Sequence, residues 1–244
     1  SMVTELTFGA RMTNIYYYEY IRNNHDQKYY IASPCPIVVS LVETQYKDLI
    51  KYLIPITSPM ASQAKVLNYL YPDYKIVFLA PCRAKQNIEA KEYKDIITET
   101  LSFKDLREIF DENNIQEKDY LDCGEKFDSI LDSETRIYPI SGGLASSAHI
   151  KDIIKEDQIL VDDGIVNVKN ILNEISNGTT KYRFFDLLNC DGGCIGGAEI
   201  INQDLTVEER KNKINDYKKN MTDTKGLVCD VEDIFNNVNF SRKF

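Results

Sequence analysis

Four cysteines carry the chemistry this sequence can do. Cys35 lies in Ser33-Pro34-Cys35-Pro36 and Cys82 in Ala80-Pro81-Cys82-Arg83-Ala84-Lys85. Cys190 and Cys194 share the run Cys190-Asp191-Gly192-Gly193-Cys194-Ile195-Gly196-Gly197. Two thiolates so closely spaced on a glycine-rich loop can face one metal centre, and the two isolated cysteines can complete a four-sulfur cage. Iron–sulfur chemistry suits this spacing better than zinc, whose cysteines come as two close pairs on one small module. The glycines are expected to let the backbone approach a bulky cluster and offer it N–H groups.

Without a secretory leader, six cysteines imply a reducing, cytoplasmic setting in which thiols serve as ligands rather than as a disulfide framework. Cys123 and Cys229 have no partner motif and read as structural thiols. His25 and His149 are not spaced as a metal pair and read as structural or surface residues. The Ser141-Gly142-Gly143 turn lacks the Lys-Ser/Thr of a phosphate loop. It reads as a helix start lining the cluster crevice.

The bulk numbers narrow the field. The chain has 244 residues, 43% hydrophobic and 27% charged, as in an ordinary globular protein with a sizeable core. A net charge of −9 argues against nucleic acid, and the sixteen tyrosines then read as packing rather than base stacking. No apolar stretch approaches the roughly 20 residues that span a bilayer. Ser1-Met2 resembles a residual tag. No repeat or low-complexity tract interrupts the chain.

The elements that must position the cysteines alternate between strand and helix, the pattern of an α/β protein. Strands are expected at Lys28–Ala32, Tyr74–Leu79, Arg136–Ile140, Gln158–Val161 and Lys181–Leu188. Helices are expected at Ile37–Leu53, Phe103–Phe110, Val166–Ile175 and Val207–Tyr217. Another should run from Ser58-Pro59, as N-cap and first residue, to about Leu70. Asp111–Asp132 reads as a surface excursion and 222–244 as a peripheral tail. Cys35, Cys82 and Cys190 each follow a strand, where open α/β sheets place their ligands. A thiol at a helix N-terminus is further expected to have a lowered pKa.

Taken in order, these motifs resemble the H-cluster-bearing C-terminal domain of the large subunit of iron-only (FeFe) hydrogenases, in its sensory branch. Phe8-Gly9-Ala10, Thr57-Ser58-Pro59-Met60 and Ser141-Gly142-Gly143 join the cysteine motifs in that resemblance. It implies a two-lobed α/β domain over 1–244, with small sheets flanked by helices and the cluster between the lobes. It also implies that Cys35, Cys82, Cys190 and Cys194 hold a 4Fe–4S cubane, with Cys194 bridging to a two-iron subcluster. Lys85 would then pair with a cyanide of that subcluster, and Lys85 and Cys194 would be the residues nearest the reaction. Pro34 and Pro81 beside their cysteines, Ser58-Pro59, Ser141-Gly142-Gly143, Gly193 and Gly196 would line the cofactor. A solvated lysine at a helix start is the plainer reading of Lys85.

The departures from the family pattern matter as much. Catalytic members carry a proton-relaying cysteine where this chain has Pro34, and a methionine where it has Leu188. The nearby Tyr16-Tyr17-Tyr18-Glu19-Tyr20 offers only Glu19 as an acid. Slow conversion or sensing of H2 (H2 = 2 H+ + 2 e−) is the function this implies. A redox or regulatory module holding only the 4Fe–4S cluster is the alternative, and a zinc-stabilised interaction domain is a third reading. The ferredoxin-like cysteine runs are absent. The chain therefore reads as a fragment of a longer protein, taking electrons from a ferredoxin-like donor and fused to a sensory or signalling domain.

Overall fold

The computed structural model describes residues 1–120, 127–128, 132–220 and 231–244. Cys123, Cys229 and part of the expected excursion Asp111–Asp132 lie outside them.

Two small parallel sheets organise the described chain. The first has the order β1 (Tyr30–Ile31), β5 (Phe184–Leu188), β4 (Ile159–Asp163). The second pairs β2 (Ile76–Ala80) with β3 (Ile97–Ser102). Every residue of β5 is buried, because helices cover both faces of that sheet, as parallel sheets require. Phe185 and Leu187 pack on one face against Val38 and Val42 of α2 (Pro36–Gln45) and Val168 and Leu172 of α7 (Ile165–Ser176). Phe184 packs on the other, against Tyr17 and Ile21 of α1 (Thr7–Asn23) and Leu144 of α6 (Gly143–Ser147).

Helix α1 lies along α3 (Pro59–Leu70), and Gly9 permits their approach. A Cβ at Gly9 would sit 2.6 Å from the Pro59 carbonyl oxygen and 2.5 Å from the Gln63 nitrogen. The Gly9 N–H instead donates to Gln63 Oε1 at 2.7 Å. The α3 boundaries match expectation: Ser58 Oγ accepts from the Ala61 N–H and Pro59 opens the helix. The expected helix Ile37–Leu53 divides instead into α2 and a 3-10 segment, Lys47–Tyr52, breaking at Tyr46, whose φ of −127° leaves the helical region. Leu49 and Leu53 still reach the core from there.

The expected strand Arg136–Ile140 is a correction. Glu134–Ile137 forms a 3-10 turn, started by the Thr135 N–H bonding Asp132 Oδ1, and only Ile140 makes a sheet-like bridge, to Gly193. Arg136 is buried against Glu5, which a strand's alternating register would not favour. Helix α1 and strand β3 were not expected; the tyrosines hid the first and the polar Thr98-Glu99-Thr100 hid the second.

The second sheet is thinner. Helix α5 (Phe103–Glu112) begins with a capping box between Ser102 and Asp105 and buries no residue. A π-turn, Lys85–Glu89, runs into the short α4 (Ala90–Glu92) and connects β2 to β3. Helix α8 (Val207–Asn220) follows the second cysteine loop and buries no residue either.

The tail is also a correction. From α9 (Val231–Asn237) onward, Ile234, Val238 and Phe240 pack with Phe8, Met12 and Val66. The Thr57 N–H bonds the Phe240 carbonyl, and the Arg242 N–H bonds that of Pro55. Apolar residues at 231, 234, 235, 238 and 240 form a stripe that only a buried partner satisfies.

Candidate metal centre

Strand β1 delivers Ser33-Pro34-Cys35. The Ser33 N–H donates to Tyr17 Oη at 2.7 Å, and Ser33 Oγ donates to the Ile54 carbonyl at 2.7 Å. Cys35 then serves as the N-cap of α2, with Pro36 as its first residue. Cys82 follows β2 directly. The neighbouring Pro81 carbonyl accepts the Glu199 N–H at 3.1 Å, which joins this segment to the second cysteine loop.

That loop leaves β5 at Leu188. The Gly193 N–H bonds the Cys190 carbonyl at 2.9 Å, the Ile195 N–H bonds the Pro139 carbonyl at 3.2 Å, and the Ser141 N–H bonds the Gly192 carbonyl at 3.1 Å. Gly193 has φ +93°, and a Cβ there would lie 2.7 Å from both the Pro139 oxygen and the Ser141 nitrogen. The backbone crowding is therefore protein against protein. The Cβ directions of Gly193, Gly196 and Gly197 point at the main chain of Pro139–Ser141, Asp191 and Pro81. Ser141-Gly142-Gly143 lies where expected, joined to this loop and opening α6.

All four thiols are free and partly buried. Cys194 feels the charges of Cys35, Cys82, Cys190 and Lys85, and Cys190 those of Cys35 and Cys82, so the four share one neighbourhood. At Cys35, Cys190 and Cys194 the expected lowering of thiol pKa is reversed. Burial pushes Cys35 up, although backbone N–H groups at the start of α2 and the Lys85 charge oppose it. Burial, joined by the other thiolates, pushes Cys194 up to about 12. Desolvation outweighs the helix terminus here, and a bound metal's positive charge is what reverses that order.

The fit of this site to an iron–sulfur group rests on its donors. Four soft cysteine sulfurs arrive from three strand ends, with backbone N–H groups turned toward Cys35. Among the described residues, no three His, Cys, Asp or Glu side chains are gathered as ligands of a single metal ion. His25 is exposed and beside Asp26, and His149 is exposed.

Lys85 is buried rather than solvated. Its Nζ donates to the Pro34 carbonyl at 3.0 Å, to Ser58 Oγ at 3.5 Å and to Glu89 Oε2. Ser58 Oγ donates in turn to the other Glu89 oxygen. Glu89, fully buried, was missed by the sequence reading, although an acid four residues after a lysine on one helix face is a recognisable signal. Asp186 was missed as well. It accepts the Ala145 N–H at 3.0 Å, and burial pushes its carboxyl up to about 6. Glu19 is exposed on α1.

Residues 1–198 match the family described as iron only hydrogenase large subunit, C-terminal domain. Among solved structures, the chain superposes on a FeFe-hydrogenase whose oxygen inactivation begins at the two-iron subcluster of its H cluster. That match has a TM-score of 0.70 at 15% identity and covers 97% of this chain and 80% of that one. A FeFe-hydrogenase captured in stepwise H-cluster assembly gives 0.66 at 16% identity, covering 91% and 76%. A variant of the enzyme from Chlamydomonas reinhardtii gives 0.66 at 15%, covering 97% and 80%. No curated protein matches the sequence. The structural likeness supports the fold: helices with small parallel sheets in the arrangement of these enzymes.

Proposed function

This chain belongs to the iron-only hydrogenase family, as a C-terminal domain of its large-chain type, and from that premise we propose that Cys35, Cys82, Cys190 and Cys194 hold an H-cluster-type iron–sulfur centre. The observation that carries the proposal is the single electrostatic neighbourhood shared by four thiols from three strand ends. A cubane is a cage wider than one ion, so four sulfurs from three strand ends, not gathered as ligands of one ion, suit it better than zinc. When bound, the group supplies the redox chemistry that interconverts H2 with protons and electrons.

The chain's own residues set how well that chemistry is served. Pro34 has no ionisable group, and its carbonyl accepts from Lys85. The proton acceptor expected just before the first ligand is therefore missing. Exposed Glu19 does not replace it. We accordingly read the domain as sensing or slowly converting H2 in the cytoplasm, exchanging electrons with a ferredoxin-like donor and passing its state to a fused signalling domain.

A second reading, a regulatory module with only the 4Fe–4S cluster, is favoured by one specific observation. Each of the three N–H bonds of Lys85 already has a protein acceptor.

Anaerobic purification, supply of the two-iron subcluster and infrared spectroscopy distinguish the readings. Carbonyl and cyanide bands with slow H2 turnover are expected from the first, and iron–sulfur absorption without those bands from the second. Zinc without iron, under strict exclusion of oxygen, would overturn both.

A further inference from the structure

The Lys85–Glu89 ion pair sits directly behind the thiol cage. The lysine side chain is 10% exposed and the carboxylate fully buried. The pair spans one π-turn, a backbone form that concentrates at functional sites. Lys85 is also the cation whose field reaches both Cys35 and Cys194. It is thus the donor best placed to meet an anionic ligand at this centre, yet its three N–H bonds are directed at Pro34, Ser58 and Glu89.

We propose that Glu89 is a positioning residue that decides how much of the cofactor the site retains, by holding the Lys85 ammonium on protein acceptors and away from anionic diatomic ligands. The inference rests on the four-thiol reading above. Glu89 does not depend on Lys85 alone for compensation. Ser58 Oγ bonds one of its oxygens, and the charge of Arg242 reaches it. Arg242 is itself anchored by two bonds to Glu92, at 2.7 and 3.0 Å. Glu92, Tyr93 and Tyr17 are the further titratable groups that sense the Arg242 charge. The arrangement therefore favours the cubane, which needs only thiolates, over the two-iron subcluster, whose cyanides need a free cationic donor.

The test uses the full chain with its cubane reconstituted anaerobically, in the wild type, Glu89→Gln and Glu89→Asp. Each is incubated with a synthetic two-iron complex bearing carbonyl and cyanide ligands and then stripped of excess. The readout is infrared band intensity per cubane. Glu89→Gln should retain several-fold more of the complex than the wild type, with shifted cyanide bands, and Glu89→Asp should fall between them. Adding Lys85→Met to Glu89→Gln should abolish the gain. Should the buried, unpaired lysine prevent Glu89→Gln from folding, Glu89→Asp keeps the counter-charge and carries the test. Equal or lower retention in the variants, a gain that survives Lys85→Met, or stoichiometric retention by the wild type would each overturn the inference. A wild type that assembles no cubane overturns the four-thiol reading, and this inference with it.

Discussion

The two sheets hold their cysteines by different physics. The β1-β5-β4 sheet lies between helices on both faces, and from its strand ends come Cys35, Cys190 and Cys194. The β2-β3 pair presents Cys82 from a strand whose residues are mostly half-exposed, next to a helix that buries nothing. What steadies the thin side is polar. Arg83 reaches Asp105 and Glu199 at 3.3 and 3.2 Å, Lys85 reaches the Pro34 carbonyl, and Arg242 grips Glu92. Three cysteines are set by apolar burial, and the fourth is tethered by charges. A centre bridging both sides would therefore stabilise the thin side more than the thick one.

The largest effect that sharpens this contrast is at the shared site. Cys194→Ala should abolish retention of the two-iron subcluster and most cubane iron, read by infrared bands and iron content per chain. A variant that keeps both contradicts the ligand assignment.

The next breaks the thick side alone. Phe185→Ala should cost about 3–5 kcal/mol in denaturant unfolding, since the phenyl is fully buried between α2 and α7. Asp186 tests the same sandwich through pH. Its carboxyl rises from 3.8 to about 6 on folding, so the stability it contributes is fully present below about pH 4 and lost as pH climbs through about 6. Relative to Asp186→Asn, the wild type should lose roughly 3 kcal/mol over that window in the metal-free chain. Parallel pH profiles for the two proteins would remove Asp186 from the account.

The smallest effects belong to the thin side. Arg242→Ala should cost about 1 kcal/mol, because solvent reaching the partly exposed Glu92 screens the pair. It should also speed amide exchange at 238–244, where the tail is pinned by few bonds. Val77→Ala, at 53% exposure on β2, should stay within about 0.5 kcal/mol. A cost there matching that of Phe185→Ala would erase the distinction between the sheets.

The sequence made legible what short-range chemistry dictates. Ser58-Pro59 announced α3, and Pro36 after Cys35 announced α2, because caps and proline act within a turn. The cysteine motifs announced the site. Tertiary choices were less visible. Phe240 reads as the end of a tail until Phe8 and Met12 are seen beneath it, and Arg136 reads as part of a strand until Glu5 is seen against it. Asp186 was hidden for the same reason, since a lone acid in sequence gives no sign of its burial, whereas the spacing of Glu89 from Lys85 signalled a pair but not that it would be buried. The close packing of the second cysteine loop was equally invisible: the space Cβ atoms at Gly193, Gly196 and Gly197 would take belongs to Pro139, Asp191 and Pro81.

The central claim is that four thiols from both sheets share one iron–sulfur centre. Iron, sulfide and zinc counted per chain after anaerobic reconstitution, in the wild type and in Cys35→Ala, Cys82→Ala, Cys190→Ala and Cys194→Ala, test it most directly. The account predicts the iron and sulfide of one cubane in the wild type and a sharp loss in every variant, including Cys82→Ala from the thin side. A Cys82→Ala protein with its full complement, or a wild type holding zinc and no iron, would contradict it.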